Sequence, residues 1–445
     1  MKIAYITAGA AGRYCGNCLQ DNVLVLALRA LGEDAYLVPT YTPIRTDIAD
    51  ASEQRLFFSG LRVFLEQRFE FFRRPRRLLD GVLGSRALVA LLARLASKTD
   101  PRSLGELTVS MLRGEEGHQR REIDELAAWL GEHVRPDVVH ISNVLLAGMA
   151  RRLKELLRVP VFCGLQAEDS FLDFIPEPER GLARALIGER GREVDRLVAV
   201  SSYYADHAAE TFGLPREHMS VVLPGILLDG HEPAAPRSGP ELTIGYLARI
   251  APAKGLHHLC EAFARLATEP ELARVRLKVA GYLAPDQVSY ASRLRSALGR
   301  EGLARRTEFI GTVDRAQKLR FLSEIDVLSV PTVYPDPKGL FVLEALASGV
   351  PVVAPRHGIF PELIEETGGG VLCEPEDAGS LCDALRALLL DPALRRELGD
   401  AGRAKVLERF GAERMARETL EVYRAAVTGE APAEPSSGGR ASRRA

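Results

Sequence analysis

The sequence predicts an α/β protein with two doubly wound parallel sheets. Short apolar runs alternate with amphipathic helical patterns along most of the 445 residues, which is the pattern of strands connected by helices. A stretch rich in proline, glycine and charge at 223–241 divides this alternation into two blocks. The composition, with 46% hydrophobic and 27% charged residues, is that of a soluble globular chain. Each block therefore predicts one sheet, and the length is sufficient for two or three domains.

The first block begins with the strand pattern "KIAYIT" at 2–7. A glycine-rich turn leads into a helix pattern whose apolar residues recur every three or four positions until Gly32 ends it. The strand pattern "AYLVPTY" follows, so the chain opens as strand, helix and strand of a parallel layer. Further apolar runs predict buried parallel strands at 136–142, 159–166 and 194–201.

A helical insert at about 45–130 interrupts the first block. Its residues 61–77 carry a face of apolar and aromatic residues that ends in a cluster of arginines. We favour a helical subdomain that packs its aromatic residues on the first sheet, because the basic stretch is short and acidic residues interleave it. The alternative is peripheral contact of 61–77 with a membrane surface, or binding of an anionic acceptor. Both interpretations are open at this stage.

Charge and composition argue against several classes of protein. Basic and acidic residues nearly cancel, 58 against 60, so we expect no nucleic-acid partner. No run approaches 18 apolar residues, and the apolar run at the start is too short for a signal peptide. Six scattered cysteines do not make a disulfide scaffold. We therefore expect a cytoplasmic protein, with peripheral attachment to the inner face of the plasma membrane as the open alternative.

The second block repeats the alternation after the linker. Its strand patterns are "LTIGYLA", "VRLKVAGYL", "TEFIGTV", "IDVLSVP", "GVPVVAP" and "GVLCEP". Ligands of such sheets bind beyond the carboxyl ends of the strands. The predicted organisation is an N-terminal domain 1–225 with the insert, a linker 226–240, a C-terminal domain 241–408, a closing helix 409–427 and a disordered tail 428–445.

The most informative segment is "PTVYPDPKGLFVLEALASGVPVV" at 331–353. A strand ends at its first proline, a turn carries Asp336, Lys338 and Gly339, and a helix that begins near Gly339 contains Glu344. Free backbone N–H groups at such a helix terminus suit a phosphate or a sugar hydroxyl. A carboxylate one turn inside can accept two hydroxyl hydrogen bonds, and Glu344 needs a partner because its neighbours are apolar. The segment therefore predicts a ligand site at the carboxyl edge of the second sheet.

This segment resembles the acidic E-x7-E signature of the family-4 retaining glycosyltransferases, which have the GT-B fold of two Rossmann-like domains facing a cleft. Asp336 stands at the first glutamate of the signature and Glu344 at the second. The resemblance extends over most of the chain except about 45–130 and the tail. The other matching segments follow in the family's order: "AVSSYYADHAAETFG", "GYLARIAPAKGL", "VAGYL", "FIGTV", "HGIFPELI" and "FGAERMARETLEVYRAAV".

The resemblance implies roles for four residues in catalysis. Arg249 and Lys254 would neutralise the donor diphosphate, because cleavage of the sugar–phosphate bond develops negative charge on the leaving group. Glu344 would bind the ribose hydroxyls, and Asp336 would bind hydroxyls of the donor sugar. Because Asp336 is one methylene shorter than the family's glutamate, its contact with the sugar could shift, and the preference for a donor with it.

Other donor contacts are implied by position. The backbone at Lys338, Gly339 and Leu340 would hold sugar or phosphate, and Gly12 lies in a glycine-rich loop that faces the cleft in the resembling enzymes. Gln166 stands at the end of a strand where the family usually carries a histidine near the reacting sugar. Its amide can donate and accept hydrogen bonds but cannot be protonated near neutral pH.

Candidate acceptor-side residues lie in the first domain. Glu168 and Asp169 follow Gln166 closely, and free N–H groups around Asn17 to Asp21 would point at an anion. His140 lies at another strand's carboxyl end, and it is either a ligand of the acceptor or a hydrogen-bonded imidazole near the core.

The pair Cys15 and Cys18 in "CGNC" stands beside the glycine-rich loop. A redox role needs a thioredoxin-like context that the chain lacks, and a structural zinc needs two more ligands. Cys163, at another strand end, keeps a metal or disulfide open as the minor interpretation. We favour "CGNC" as the wall of a sugar-transfer cleft.

The predicted function is transfer of a hexose from a nucleotide sugar to a glycan, lipid or small-molecule acceptor. Retention of anomeric configuration and independence of any metal or cofactor are implied by the resemblance. Two alternatives stay open: a related GT-B enzyme, such as a sugar-nucleotide epimerase or a phosphorylase, and a protein that binds sugar nucleotides without transferring them.

Overall fold

The computed structural model describes residues 1–9, 16–44, 46, 48–53, 101–233 and 241–429. Contacts along the chain divide it into two compact units. The first unit consists of Met1–Leu223 together with the segment from Met415 onward, and the second is Pro224–Arg414.

The first unit is built on a parallel sheet of six strands in the order β2-β1-β3-β4-β5-β6. In β1 every residue after Lys2 is buried, and β3 and β4 are buried throughout, as expected for a sheet covered on both faces. The strands are β1 Lys2–Thr7, β2 Asp34–Pro39, β3 Val138–Ile141, β4 Val161–Leu165, β5 Arg196–Ala199 and β6 Met219–Val221.

Helices cover this sheet, and those between residues 101 and 212 share one hydrophobic core with its strands. The helices are α1 Gly16–Ala30, α2 Pro101–Leu112, α3 Arg120–Trp129, α4 Ala150–Leu157, α5 Glu168–Leu172, α6 Glu179–Arg190 and α7 Ser202–Phe212.

The second unit is a parallel sheet of six strands in the order β12-β11-β10-β7-β8-β9. Because β8 and β9 lie on one side of β7 while β10, β11 and β12 lie on the other, the winding reverses between β7 and β10, which is where open α/β sheets bind ligands. The strands are β7 Thr243–Leu247, β8 Arg276–Ala280, β9 Thr307–Gly311, β10 Val327–Ser329, β11 Val352–Pro355 and β12 Gly370–Cys373.

The helices of the second unit alternate with its strands, and the last helix of the chain runs into the first unit from Met415. They are α8 Leu256–Leu266, α9 Val288–Arg300, α10 Arg315–Ser323, α11 Leu340–Ala347, α12 Phe360–Thr367, α13 Ala378–Leu390, α14 Pro392–Arg409 and α15 Ala412–Thr428. Short 3-10 helices lie at Gly114–Glu116, Val144–Met149, Arg216–His218, Pro252–Lys254, Pro270–Leu272, Pro285–Gln287 and Ala304–Arg306, and a π-helix at Leu130–Val134.

The prediction of two doubly wound parallel sheets is confirmed, and each predicted strand is present. The strand β6 was missed, because its short apolar run stands directly before the linker, whereas the equally short β10 lies within the longer apolar pattern "IDVLSVP". In the predicted insert, α2 and α3 bury Val109, Ile123 and Leu126 in the core of the first unit. The proposed aromatic face at 61–77 lies outside the described residues, as do residues 234–240 of the linker and nearly all of the tail.

No helix among the described residues is long and apolar enough to span a membrane.

Candidate active site

The reversal of winding in the second unit places two loops side by side. The chain leaves β7 through the exposed Arg249 and a 3-10 turn that ends at Lys254, and it leaves the neighbouring β10 through the loop 331–339. Val333 N–H donates to the Ala253 carbonyl at 2.9 Å. Gly255 has φ +69°, and a Cβ there would lie 1.6 Å from the Pro331 carbonyl oxygen. Only glycine fits this approach, so the two loops are held backbone to backbone.

Lys254 and Asp336 form an ion pair between these loops. Lys254 Nζ lies 2.7 Å from Asp336 Oδ2 and donates to the Tyr334 hydroxyl at 2.8 Å, and that hydroxyl donates to Asp336 at 2.9 Å. The two charged side chains are only 12% and 8% exposed. Burial opposes both charges, but the attraction between them outweighs it: the pKa of Lys254 is raised and the pKa of Asp336 is lowered. Both groups are therefore charged at neutral pH.

The second oxygen of Asp336 accepts hydrogen bonds from the backbone just before α11. Oδ1 accepts the backbone N–H groups of Lys338 and Gly339, each at 3.0 Å. The sequence analysis expected free N–H groups at this helix terminus, and at these two positions that expectation is wrong. The short aspartate side chain turns back on its own loop, where Gly339 has φ +61°. Leu340 begins the helix that follows.

Glu344 forms an ion pair with a lysine on α10. Its Oε1 lies 2.5 Å from Lys318 Nζ, and the two side chains are 18% and 12% exposed. The sequence predicted that a charge in so apolar a helix needs a partner, but not which residue supplies it. The partner lies 26 positions earlier in the chain, and no recognisable motif marks its position. Lys318 is therefore a residue of the site that sequence reasoning missed.

A third loop, after β11, packs against Asp336. Ile359 N–H donates to the Asp336 carbonyl at 2.9 Å, and Gly358, with φ +60°, approaches so closely that a Cβ would lie 2.5 Å from that oxygen. His357 Nε2 lies 2.9 Å from the Thr332 carbonyl. Since a carbonyl only accepts, Nε2 carries the proton. Burial lowers the pKa of His357, so the imidazole is neutral at neutral pH.

In the first unit, Gln166 follows β4 directly and belongs to a buried network. Its Nε2 donates to the Ser142 carbonyl at 2.7 Å and to Asp21 Oδ1 at 3.1 Å. Asp21 also accepts from the Tyr5 hydroxyl at 2.9 Å and from Thr7 Oγ1 at 2.8 Å. Asp21 was predicted to contribute only its backbone N–H, and the role of its carboxylate was missed, although a carboxylate within an apolar helical pattern was the available signal.

The carboxyl groups of Glu168 and Asp169, at the start of α5, both lie within hydrogen-bonding distance of the Tyr204 hydroxyl. Tyr204 Oη lies 2.9 Å from Glu168 Oε2 and 2.8 Å from Asp169 Oδ1. Asp169 also lies 3.0 Å from His207 Nε2. Burial raises the pKa of Glu168 to about 7. The two carboxyl groups therefore differ: Glu168 is enclosed by protein, while Asp169 is 26% exposed.

His140 lies within β3 and is part of the core. Its ring stacks on Tyr5 with centroids 4.5 Å apart, and its Nδ1 lies 2.7 Å from the hydroxyl of Tyr423 in α15. Burial lowers its pKa to about 3. Of the two interpretations that the sequence left open, the structure shows the buried imidazole and not a ligand of the acceptor.

The glycine-rich loop is only partly described. Gly12 and Cys15 lie outside the described residues, and Asn17 is in the first turn of α1. Cys18 and Cys163 are both buried free thiols, which gives no support to a disulfide between them. Among the residues that the structure describes, no three His, Cys, Asp or Glu side chains come together as a metal site.

Two family models match the chain. "Glycosyl transferases group 1" matches residues 231–405, and "Glycosyltransferase Family 4" matches residues 104–229. Together the matches extend over most of both units, and the first of them includes Arg249, Lys254, Asp336 and Glu344.

Curated relatives include enzymes with different products. Glycogen synthase of Mycobacterium tuberculosis is 30% identical over 306 residues, which are 68% of this chain and 72% of that protein. D-inositol 3-phosphate glycosyltransferase of Streptomyces bingchenggensis is 28% identical over 68% of this chain and 70% of its own length.

Solved structures with the same fold cover almost the whole chain. HepE of Anabaena, in complex with UDP, superposes with a TM-score of 0.66 at 18% identity, over 96% of this chain and 100% of that one. Sucrose-phosphate synthase of Thermosynechococcus elongatus gives a TM-score of 0.68 at 18% identity, over 97% and 100% of the two chains. At this identity the likeness shows the shared fold alone.

Proposed function

Because this chain belongs to the GT-B glycosyltransferases of the group 1, family 4 type, we propose that it moves a hexosyl group from a nucleotide-diphosphate sugar to an acceptor hydroxyl. The chain is thus a transferase, and the proposal concerns its substrates and its stereochemistry. We further propose that the reaction retains the anomeric configuration and needs no metal ion.

The observation that carries the proposal is the set of cations at the winding reversal of the second unit. Arg249 is exposed at the carboxyl end of β7, and Lys254 lies beside it. Since Asp336 already balances the charge of Lys254, Arg249 adds the net positive charge of this cluster. HepE of Anabaena, which has this fold, was solved with UDP and with UDP-glucose, and that supports a diphosphate ligand here.

The cations fit the chemistry of the leaving group. When the bond between C1 of the sugar and the phosphate oxygen breaks, its electron pair goes to the diphosphate. Arg249 and Lys254 stabilise the new charge without moving, because they are already in place. The acceptor oxygen then bonds to C1 on the same face, and its proton passes to the leaving phosphate oxygen. No protein base and no metal ion is needed in this scheme.

Glu344 is proposed to bind the ribose of the donor. Its Oε1 holds Lys318, and the carboxylate as a whole can accept several hydrogen bonds. Partial exposure of both side chains leaves room for a hydroxyl beside the pair.

The acceptor is proposed to be a hydroxyl of a glycan, a lipid or a small molecule. The names of two relatives, glycogen synthase and D-inositol 3-phosphate glycosyltransferase, each include a hydroxyl-rich product or acceptor. The proposed location is the cytoplasm, which the free thiols of Cys18, Cys163, Cys260, Cys373 and Cys382 support. Contact of 61–77 with a membrane stays a prediction, and sedimentation with anionic vesicles tests it.

A thermal-shift screen followed by product analysis tests the proposal. UDP-, ADP-, GDP- and TDP-linked glucose and mannose are the probes, since a ligand that binds only the folded state raises the melting temperature. The donor that stabilises the protein is then incubated with candidate acceptors in the presence and absence of EDTA. Free NDP together with a new glycoside of retained configuration supports the proposal. An isomerised donor, a sugar phosphate or a requirement for metal would contradict it.

A further inference from the structure

The carboxylate of Asp336 is saturated with hydrogen bonds from its own unit. Its Oδ1 accepts the backbone N–H groups of Lys338 and Gly339, each at 3.0 Å. Its Oδ2 accepts from Lys254 Nζ at 2.7 Å and from the Tyr334 hydroxyl at 2.9 Å. A carboxylate offers about four lone-pair positions, and these partners use all of them. A sugar hydroxyl would therefore bind Asp336 only by displacing a partner that is already in place.

The backbone of Asp336 is held as well. Its carbonyl accepts Ile359 N–H at 2.9 Å, and a Cβ at Gly358 would lie 2.5 Å from that carbonyl oxygen and 2.8 Å from the Asp336 nitrogen. Only glycine allows two chain segments to come this close. Because side chain and backbone are both held, turning the carboxylate toward a ligand would require the loop 331–339 to move.

The ammonium group of Lys254 is not saturated in the same way. Of its three protons, one goes to Asp336 and one to the Tyr334 hydroxyl at 2.8 Å. Within the described part of the chain these are the two hydrogen bonds of Nζ. Two acceptors in fixed positions leave the third N–H bond one direction, so Lys254 has one oriented donor available for a ligand.

The Tyr334 hydroxyl links the two charged groups. Burial raises the pKa of Tyr334 to about 12, so the hydroxyl keeps its proton at neutral pH and donates it to Asp336 while its oxygen accepts from Lys254. The Tyr334 ring also lies beneath the ammonium group, with 4.8 Å between Nζ and the ring centroid. Ring, hydroxyl and carboxylate therefore all act on the position of one ammonium group.

We propose that Asp336 and Tyr334 are positioning residues, which hold Lys254 with its third N–H bond directed at the diphosphate of the donor, and that Asp336 does not bind the transferred sugar. This inference rests on the proposed glycosyl transfer. It replaces the role that the resemblance implies for Asp336, which is contact with sugar hydroxyls. The nucleotide part of the donor should then depend on Asp336 whether or not a sugar is attached to it.

The test measures by calorimetric titration the affinities for free NDP and for the NDP-sugar found in the screen. The proteins are wild type, Asp336→Asn, Lys254→Ala and the double variant. Asparagine can still accept the N–H groups of Lys338 and Gly339 through its oxygen, but it lacks the charge that holds Lys254. Glu324→Gln is the matched control, because it removes a carboxylate that lies 2.6 Å from Lys278 Nζ in the same unit.

Asp336→Asn is expected to weaken binding of free NDP and of the NDP-sugar by the same factor, about tenfold. In the Lys254→Ala background the same change should have no further effect, since the residue through which Asp336 acts is gone. Glu324→Gln should bind both ligands as wild type does. A loss confined to the NDP-sugar would place Asp336 on the sugar and overturn the inference. Tighter binding of NDP, or an equal loss with and without Lys254, would overturn it too.

The pH dependence of binding gives a second readout. Burial opposes the charge of Lys254, and the attraction of Asp336 outweighs burial and raises the pKa of Lys254. Without that carboxylate the buried ammonium group should lose its proton more easily. The NDP affinity of Asp336→Asn relative to wild type should therefore fall between pH 7 and pH 9. A constant ratio would contradict the inference, because the ammonium group would then not depend on Asp336.

Tyr334→Phe decides the question if Asp336→Asn does not fold. This variant keeps the ring and the ion pair but loses the hydroxyl, so it should weaken binding of both ligands equally, by about threefold. A loss for the NDP-sugar alone would again overturn the inference. A wild type that binds neither NDP nor any NDP-sugar would overturn the proposed function as well.

Discussion

The ammonium group of Lys254 lies 2.7 Å from the carboxylate of Asp336, and both belong to loops at the reversal of winding in the second sheet. The two charged groups differ in how many further hydrogen bonds stabilise them. Asp336 also accepts two backbone N–H groups and the Tyr334 hydroxyl. Lys254 also donates to the Tyr334 hydroxyl, and its ammonium group lies over the rings of Tyr334 and Phe341. The carboxylate is therefore better compensated than the ammonium group, and this asymmetry has a measurable consequence.

Asp336→Asn should destabilise the protein more than Lys254→Met does. The first variant leaves a buried ammonium group without its counter-charge, which typically costs about 3 kcal/mol. The second leaves a carboxylate that keeps its two N–H donors, so a smaller loss is expected. Urea unfolding of both variants and of the double variant measures this. The double variant should be more stable than the sum of the single losses predicts, and a larger loss for Lys254→Met would contradict the asymmetry.

Glu344→Gln should weaken binding of the nucleotide sugar, because the variant loses both the charge that is proposed to accept ribose hydroxyls and the ion pair with Lys318. A loss of about tenfold in affinity is expected for a hydrogen bond to a charged group. Isothermal titration with the donor found in the screen measures it.

The matched control for Glu344 is Lys278→Met. Lys278 forms an ion pair with Glu324 of the same unit at 2.6 Å, within β8 and away from the loops of the site. This variant loses a comparable ion pair and should bind the donor as wild type does. Equal affinities for Glu344→Gln and Lys278→Met would remove Glu344 from the ribose site.

Glu168 should make stability fall as the pH rises. The folded protein holds the Glu168 proton up to a pKa of about 7, whereas the ordinary value is 4.5. Between these two values the folded state binds more protons than the unfolded chain, so the free energy of unfolding decreases with rising pH, by roughly 3 kcal/mol in all. Below about pH 4.5 and above about pH 7, the ionisation of Glu168 adds no further pH dependence to the free energy of unfolding.

Glu168→Gln should abolish that dependence, since the amide does not titrate. Relative to wild type the variant should therefore gain stability between pH 5 and pH 7.5, measured by urea unfolding at each pH. Glu125→Gln serves as the control, because Glu125 is paired with Arg121 on the surface and its replacement should leave the pH dependence of wild type intact. A constant difference between Glu168→Gln and wild type would show that Glu168 is ionised in the folded state.

The sequence predicted the fold because each buried strand and each amphipathic helix leaves a local pattern. It also placed Arg249, Lys254, Asp336 and Glu344 after the correct strands, since position relative to a strand end is a local property. The strand β6 was missed, because its short apolar run stands directly before the linker.

Partners across the fold could not be predicted in the same way. Lys318 meets Glu344, Asp21 meets Gln166 and Tyr423 meets His140 only because strands and helices distant in sequence pack together. The burial of His140 in particular depends on a helix 283 positions later. The hydrogen bonds of Asp336 with the backbone of Lys338 and Gly339 depend on how a short side chain turns back in its loop, which spacing alone does not determine.

Calorimetric titration of NDP into Arg249→Ala tests the proposed donor site most directly. Arg249 is exposed at the end of β7, so its removal should leave the fold intact, and Arg300→Ala, at the end of α9, is the control for charge. The NDP is that of the donor found in the screen. The predicted result is binding at least about tenfold weaker for Arg249→Ala than for wild type, with Arg300→Ala unchanged. Equal affinity in all three proteins would contradict a diphosphate site at this edge of the second sheet.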